Sequence, residues 1–169
     1  MNQVQFNQIE SIEQINALCV IADEIWREHY IPIIGKEQVD YMLDKFQSPE
    51  AITEQINKGY LYYFFKINEE NIGYTGVNSE ESALFLSKFY LLKEHRGKGY
   101  AHQVINYLCD FCRQKGLEKI YLMVNRHNSS TISAYEKLGF VKIREQKVAL
   151  EAGFVVDDFV MEKQVNRID

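Results

Sequence analysis

The chain is short of the features that mark several large protein classes. Its 169 residues contain only 2 prolines, 1 tryptophan and 3 cysteines, and no stretch reaches the ~18 uninterrupted apolar residues of a membrane span. Met1 to Glu10 is polar and lacks the basic start and apolar run of a signal peptide, so a cytoplasmic address is expected and no membrane partner. An odd number of cysteines, Cys19, Cys109 and Cys112, argues against a disulfide framework. Cys109 and Cys112 have C-x-x-C spacing but lie inside a helical pattern with no second pair, which points to packing and to no metal site. Basic residues are not in excess either: the formal net charge is −5, which disfavours nucleic acid as a partner and suits a cationic small molecule. No repeat or Pro/Gly/Ser-rich linker divides the chain, so residues 1–169 are read as one domain.

What is present is periodicity. Gln3 to Ile9 alternates, and Ile12, Ile15, Leu18, Cys19, Ala22, Ile25 and Trp26 then recur at helical spacing, a helix expected to be interrupted at Ile31-Pro32. Tyr41, Met42 and Phe46 suggest a second short helix, and Ser48-Pro49-Glu50 opens a third that ends near Gly59. Tyr60 to Ile67 is an aromatic and β-branched run, followed by a turn and by Ile72 to Val77, which reads as a hairpin. Ala83 to Leu92 is a further strand. Then come a helix carrying Ala101, Val104, Ile105, Leu108 and Cys112 that stops near Gly116, a strand Ile120 to Val124, a helix Ser129 to Leu138, and two last strands around Glu151-Ala152-Gly153. The order implies a mixed α/β (α+β) sheet flanked by helices.

The informative segment runs from Phe89 to Ala101, where a strand passes through Arg96-Gly97-Lys98-Gly99 into a helix. The first amides of a helix lack intrahelical acceptors and lie at the positive end of the dipole, so such a junction can hold phosphate. Glycines let the phosphate approach the backbone, and Arg96 and Lys98 add positive charge. A P-loop is excluded because its G-x-x-x-x-G-K-[ST] pattern is absent. A dinucleotide fingerprint is excluded because His102 stands where the third glycine belongs.

Arg96-Gly97-Lys98-Gly99-Tyr100-Ala101 resembles the R/Q-x-x-G-x-G/A motif of the GNAT superfamily of N-acetyltransferases. Downstream, Asn128 opening a helix that ends in Ala134-Tyr135-Glu136-Lys137-Leu138-Gly139-Phe140 resembles that family's second signature. The likeness is close over Leu86 to Phe140 and looser over Phe154 to Lys163, where it leans toward the small-amine and polyamine branch. It implies the acyl-CoA N-acyltransferase fold: a central, mostly antiparallel sheet splayed between strands 4 and 5. It also implies acetyl-CoA (coenzyme A) as cofactor, its pyrophosphate on Arg96, Gly97, Lys98, Gly99, Tyr100 and Ala101. The pantetheine arm would lie beside the edge of Tyr90, Leu91 and Leu92, with Asn128, Ser130 and Lys137 facing the cofactor, and Tyr135 would return a proton to the leaving sulfur.

By the same resemblance the acceptor site is built from the first helices and the last hairpin, which nominates Trp26, Tyr30, Phe154 and Asp157. Aromatic rings with an acid suit a cationic amine. Trp26 and Tyr30 at helical spacing equally fit a core. Lys88 stands where many members of the superfamily place a carboxylate, leaving Glu24, His29 and Asp158 as substitutes for the general base. The expected function is acetyl transfer from acetyl-CoA to a primary amine of a small molecule, polyamine or antibiotic-like compound. A non-catalytic acyl-CoA-binding domain and a protein N-acetyltransferase stay open as alternatives. Oligomeric state stays open, a homodimer paired through an exposed strand of the aromatic hairpin being one arrangement the sequence allows.

Overall fold

The computed structural model describes residues 2–165. Its elements in chain order are β1 (Gln5–Gln8), α1 (Ile12–Ile34), α2 (Lys36–Phe46), α3 (Pro49–Asn57), β2 (Leu61–Ile67), β3 (Glu70–Ser79), β4 (Ala83–Leu91), a short helical turn (Lys93–His95), α4 (Tyr100–Lys115), β5 (Lys119–Asn125), α5 (Ser129–Lys137), β6 (Val141–Ala149) and β7 (Val155–Gln164). The sheet has strand order β1-β2-β3-β4-β5-β7-β6. The chain divides into two compact units, Met1–Asn78 with Lys88–Ala101, and Ser79–Ser87 with His102–Asp169, so that β4 begins in one and ends in the other.

In the first unit, local signals start and stop the helices. Ser11 and Gln14 form a reciprocal capping box that satisfies the first amides of α1, and Ser48 caps α3 with Pro49 at its first position. The helix α1 does not break at Pro32 as its sequence suggests. It runs on to Ile34, and the Gly35 amide closes it on the Ile31 carbonyl. A proline in the last turn removes one intrahelical bond, and the side chains of Ile31 and Ile34 pack on the core and hold that turn in place.

The core of this unit joins Leu18, Ala22, Ile25 and Trp26 of α1 to Val39 and Leu43 of α2, Ile52 of α3, and Tyr62, Phe64 and Tyr74 of the sheet. Residues of this size contribute about 1.5–3 kcal/mol each when fully buried. The opposite sheet face carries an edge-on aromatic row, Phe6 on Phe65 at 5.6 Å and Phe65 on Phe89 at 5.8 Å. Both faces of β2 are therefore covered, which explains why Tyr60 to Ile67 reads as a continuous apolar run rather than an alternation.

The hairpin also corrects the expected dimer contact. Strand β1 pairs antiparallel with β2 from Gln5↔Lys66 to Gln8↔Tyr63, and β3 lies between β2 and β4, so neither hairpin strand is an open edge. The edges of the sheet are β1 and β6.

In the second unit, β4 pairs parallel with β5 at Ala83↔Lys119, Leu84↔Ile120 and Phe85↔Tyr121, and β7 runs antiparallel between β5 and β6. Val104, Ile105, Leu108 and Cys112 of α4 are buried, as are Ile132 and Tyr135 of α5 and Ile120, Leu122, Val124, Phe140 and Met161 of the strand layer. Burial pushes the thiol of Cys112 up to about 12 and that of Cys109 up as well, so both stay protonated as packing groups.

Candidate active site

The chain leaving β4 folds into the turn that its glycines demand. Leu92 gives its amide to the Ile72 carbonyl of β3, the amides of His95 and Arg96 close back on Leu92 and Lys93, and Arg96 is extended at φ −75°, ψ 154°. Gly97 and Gly99 then take φ +73° and +83°, a left-handed region in which side chains are strained, and α4 begins at Tyr100. A Cβ at Gly97 would meet nothing within 4 Å, so the space on that side of Gly97 is open. Glycine backbone running into the start of a 16-residue helix, whose first amides have no intrahelical acceptor, meets the requirements of a pyrophosphate cradle. Lys98 is exposed beside it.

Arg96, nominated as a charge for phosphate, makes contacts within the chain. Its Nε donates to the Leu91 carbonyl at 3.0 Å, and its two terminal nitrogens reach Glu28 of α1 at 2.9 and 3.4 Å. The Leu91 carbonyl is thus partly engaged and the Leu92 amide is committed to β3. A carbonyl has a second acceptor position, so the Tyr90-Leu91-Leu92 segment keeps main-chain capacity for a pantetheine arm.

Beside this turn, three of the nominated aromatic residues come together. The Trp26 ring lies 5.1 Å from that of Tyr30 and 5.6 Å from that of Tyr90, and the hydroxyls of Tyr30 and Tyr90 are 3.0 Å apart. Trp26 is a core residue: it is 3% exposed, and its indole N–H donates to the Tyr74 hydroxyl, which donates in turn to Gln47. Tyr30 and Tyr90 are half-buried. Lys88, on the same strand as Tyr90, has its amine pushed down to about 8 by burial.

In the second unit α5 presents two faces. Asn128 and Tyr135, seven residues apart and so in line on the helix, are 1% and 8% exposed, and Tyr135 meets Phe140 edge-on at 5.4 Å. Ser130 and Lys137 are exposed. Asn128 occupies the N-cap position yet makes no side-chain capping bond, which sets it apart from Ser11 and Ser48.

On β7, Asp157 is held by cations of its own unit. Arg126 Nε lies 3.0 Å from its Oδ1 in an ion pair bent away from a linear hydrogen bond, and Lys147 is 3.8 Å from its Oδ2. Phe154 sits in the β6–β7 turn, where its carbonyl accepts from the Leu150 amide. Next to Asp157, the Asp158 carboxyl is raised to about 6, first by burial and then by the charge of Asp157. Asp158 pairs across the ladder with Asn125 and Gln146.

Residues 21–140 match the family model described as the acetyltransferase (GNAT) family, a span that holds the glycine turn, α4 and all of α5. The chain belongs to that family. Among relatives of this GNAT chain, an uncharacterised N-acetyltransferase of Bacillus subtilis is 27% identical over 154 residues, covering 83% of this chain and 62% of that protein. The chain thus spans less than two thirds of that relative's length. A spermidine N(1)-acetyltransferase of Thermoplasma acidophilum is 26% identical over 159 residues, covering 91% of this chain and 93% of that protein. The crystal structure of a PaiA N-acetyltransferase from Thermoplasma acidophilum, in complex with coenzyme A, superimposes with a TM-score of 0.76 over 96% of this chain and 99% of that one at 23% identity, a likeness of fold.

Two features of the site escape sequence reasoning. Glu28 meets Arg96 across 68 residues of chain, and the Trp26–Tyr74–Gln47 relay joins α1, β3 and the residue that follows α2. No local spacing signals either one.

Proposed function

We propose that this chain is an N-acetyltransferase that moves an acetyl group from acetyl-CoA to a primary amine of a small molecule, with polyamines and antibiotic-like amines as the acceptor class. The observation that carries this reading is the turn from Arg96 to Tyr100, with two left-handed glycines leading into the N-terminus of a 16-residue helix and open space at Gly97. The spermidine-acetylating relative, matched over nearly its whole length, supports a small amine as acceptor. The net charge of −5 suits a cation.

Bound acetyl-CoA supplies an activated thioester, and the work left to the chain is binding and proton transfer. The amides at the start of α4, with Lys98, hold the pyrophosphate, and the Tyr90 to Leu92 segment orients the pantetheine arm. Asn128, Ser130 and Lys137 serve the same cofactor. An amine with a lysine-like pKa is neutral in roughly one molecule in a few thousand at pH 7, so a proton acceptor is required. Of Glu24, His29 and Asp158, the last has the environment for it: a carboxyl raised to about 6 is ionised at neutral pH and still basic enough to take a proton. The Tyr135 hydroxyl gives a proton to the departing sulfur, a modest task because a thiol pKa is about 8.5.

The test is thermal unfolding with and without millimolar acetyl-CoA, for the wild type and for Gly99→Asp, which places a negative charge in the turn. A ligand at about a hundred times its dissociation constant stabilises by about 2.7 kcal/mol, a rise of several degrees. The wild type rises and a folded Gly99→Asp does not, and thiol release with a panel of amines then identifies the acceptor. A wild type that does not shift at saturating acetyl-CoA overturns the reading.

A further inference from the structure

The side chain in the turn that resembles a phosphate ligand is already in use. Arg96 spends its Nε on the Leu91 carbonyl, five residues back, and so closes a ring around the helical turn Lys93–His95. The end of the guanidinium forks onto both carboxylate oxygens of Glu28, with the two side chains 34% and 35% exposed. A bidentate Arg–carboxylate pair fixes direction as well as distance, which a single contact from a lysine would not. The backbone on one side of Arg96 is the end of β4, and on the other side it is the glycine turn. Whatever fixes the guanidinium fixes the entry to that turn.

Glu28 also belongs to the helix that carries Trp26 and Tyr30. The Tyr30–Tyr90 hydroxyl contact at 3.0 Å and the Glu28–Arg96 pair at 2.9 Å are two ties between α1 and the segment 90–96, six residues apart on that segment. Gly97 and Gly99 permit the left-handed turn, but glycine backbone is freer than that of other residues and does not hold the turn rigid. The contacts of Arg96 with Leu91 and Glu28 add the rigidity that the glycines lack.

We infer that Glu28 is a positioning residue for the coenzyme A turn: through Arg96 it preorganises the backbone that receives the pyrophosphate and couples that backbone to the helix α1. The inference rests on the transferase reading of the turn. It differs from a role for Arg96 as a direct phosphate ligand in the sign of its consequence. If Arg96 served phosphate by its charge, removing the Glu28 carboxylate would free that charge and tighten binding. If Glu28 braces the turn, the loosened backbone must be ordered when the cofactor binds, and affinity falls.

The experiment is a calorimetric titration of coenzyme A into the wild type, Glu28→Gln, Arg96→Gln and the double variant, each melted by circular dichroism as a check on folding. Glu13→Gln, at an exposed position on the same helix, serves as a surface control. Glu28→Gln is expected to weaken coenzyme A about five- to tenfold, with a melting midpoint close to wild type because a partly exposed ion pair adds little to stability. In the Arg96→Gln background the same substitution changes the affinity by less than twofold, since its action passes through Arg96. A Glu28→Gln protein that binds coenzyme A as tightly as wild type or more tightly overturns the inference, and so does a loss that persists without Arg96. Failure of the wild type to bind coenzyme A at all overturns the inference together with the transferase reading, and the first titration alone separates that case from the others.

Discussion

Replacing Gly73 by alanine tests how closely β3 and β4 approach at Tyr90 and Leu91. Gly73 lies on β3 opposite Phe65, beside a bulge, and its φ lies outside the left-handed region, so alanine carries no backbone strain there. The cost is contact alone. A Cβ would stand 2.2 Å from the Tyr90 carbonyl oxygen, 3.0 Å from Leu91 Cα and 3.1 Å from Leu91 Cδ2. Carbon contacts are comfortable at about 3.5–4.0 Å, so the two strands must part by more than an ångström, and backbone atoms cannot rotate aside. Overpacking of this kind costs about 3 kcal/mol, at the upper end of the usual range. For a chain of this size each kcal/mol lowers the melting midpoint by about 2–4 °C, which gives a fall of about 6–12 °C. Gly97→Ala is the matched control, with φ +73° and nothing within 4 Å: left-handed strain of about 1–2 kcal/mol and no clash. Far-ultraviolet circular dichroism melts of the two variants should rank Gly73→Ala below Gly97→Ala. A Gly73→Ala protein melting within 2 °C of wild type, or above Gly97→Ala, would refute the close approach at Tyr90 and Leu91.

Three further outcomes follow from the buried polar groups. Tyr74→Phe removes one oxygen from the Trp26–Tyr74–Gln47 relay and leaves the indole N–H without its acceptor. A fall of about 1–3 kcal/mol is expected, read from chemical denaturation by the emission of the chain's 1 tryptophan, and an unchanged midpoint would contradict the relay. The Asp158 carboxyl binds its proton more tightly when folded, near 6 against 3.8, so ionisation opposes folding and stability is lost as pH rises through that window. Asp158→Asn should therefore melt higher than wild type at pH 7.5, with the gap closing toward pH 4, while kcat falls if a proton acceptor has been removed; a gap that does not change with pH contradicts the shift. Tyr135→Phe should reduce kcat by tenfold or more and leave the affinity for coenzyme A within threefold, and an unaltered kcat would take Tyr135 out of the chemistry.

How far the molecule can be read from its sequence depends on the range of the forces involved. Ser48-Pro49 and the left-handed glycines after Arg96 act within a few residues, and their effects appear where the pattern places them. Pro32 shows the limit of a local rule, because the Ile31 and Ile34 contacts with the core outweigh the one hydrogen bond that proline removes. The aromatic hairpin looks like an exposed pair from its own residues, yet it is interior because β1, about 60 residues earlier in the chain, returns to pair with β2. Trp26 and Tyr30 have the same helical spacing, and only the partners divide them: the indole is closed off by Tyr74, whereas the Tyr30 hydroxyl meets that of Tyr90 at a half-buried position.

Arg96 draws the distinction most sharply. A motif of the form Arg-Gly-Lys-Gly invites the conclusion that its cations bind the anion. The backbone property that the glycines permit, a left-handed turn leading into a helix N-terminus, needs nothing from the rest of the chain to be recognised. The role of a guanidinium is set by whichever carboxylate or carbonyl it meets first, and here those are Glu28 and Leu91. On the proposed reading the turn's attraction for phosphate would fall to its amides and to Lys98, with Arg96, tied to Leu91 and Glu28, bracing the backbone that carries them. A sequence motif in this family thus locates the backbone directly, and assigns a charge only after the pairing of that charge is known.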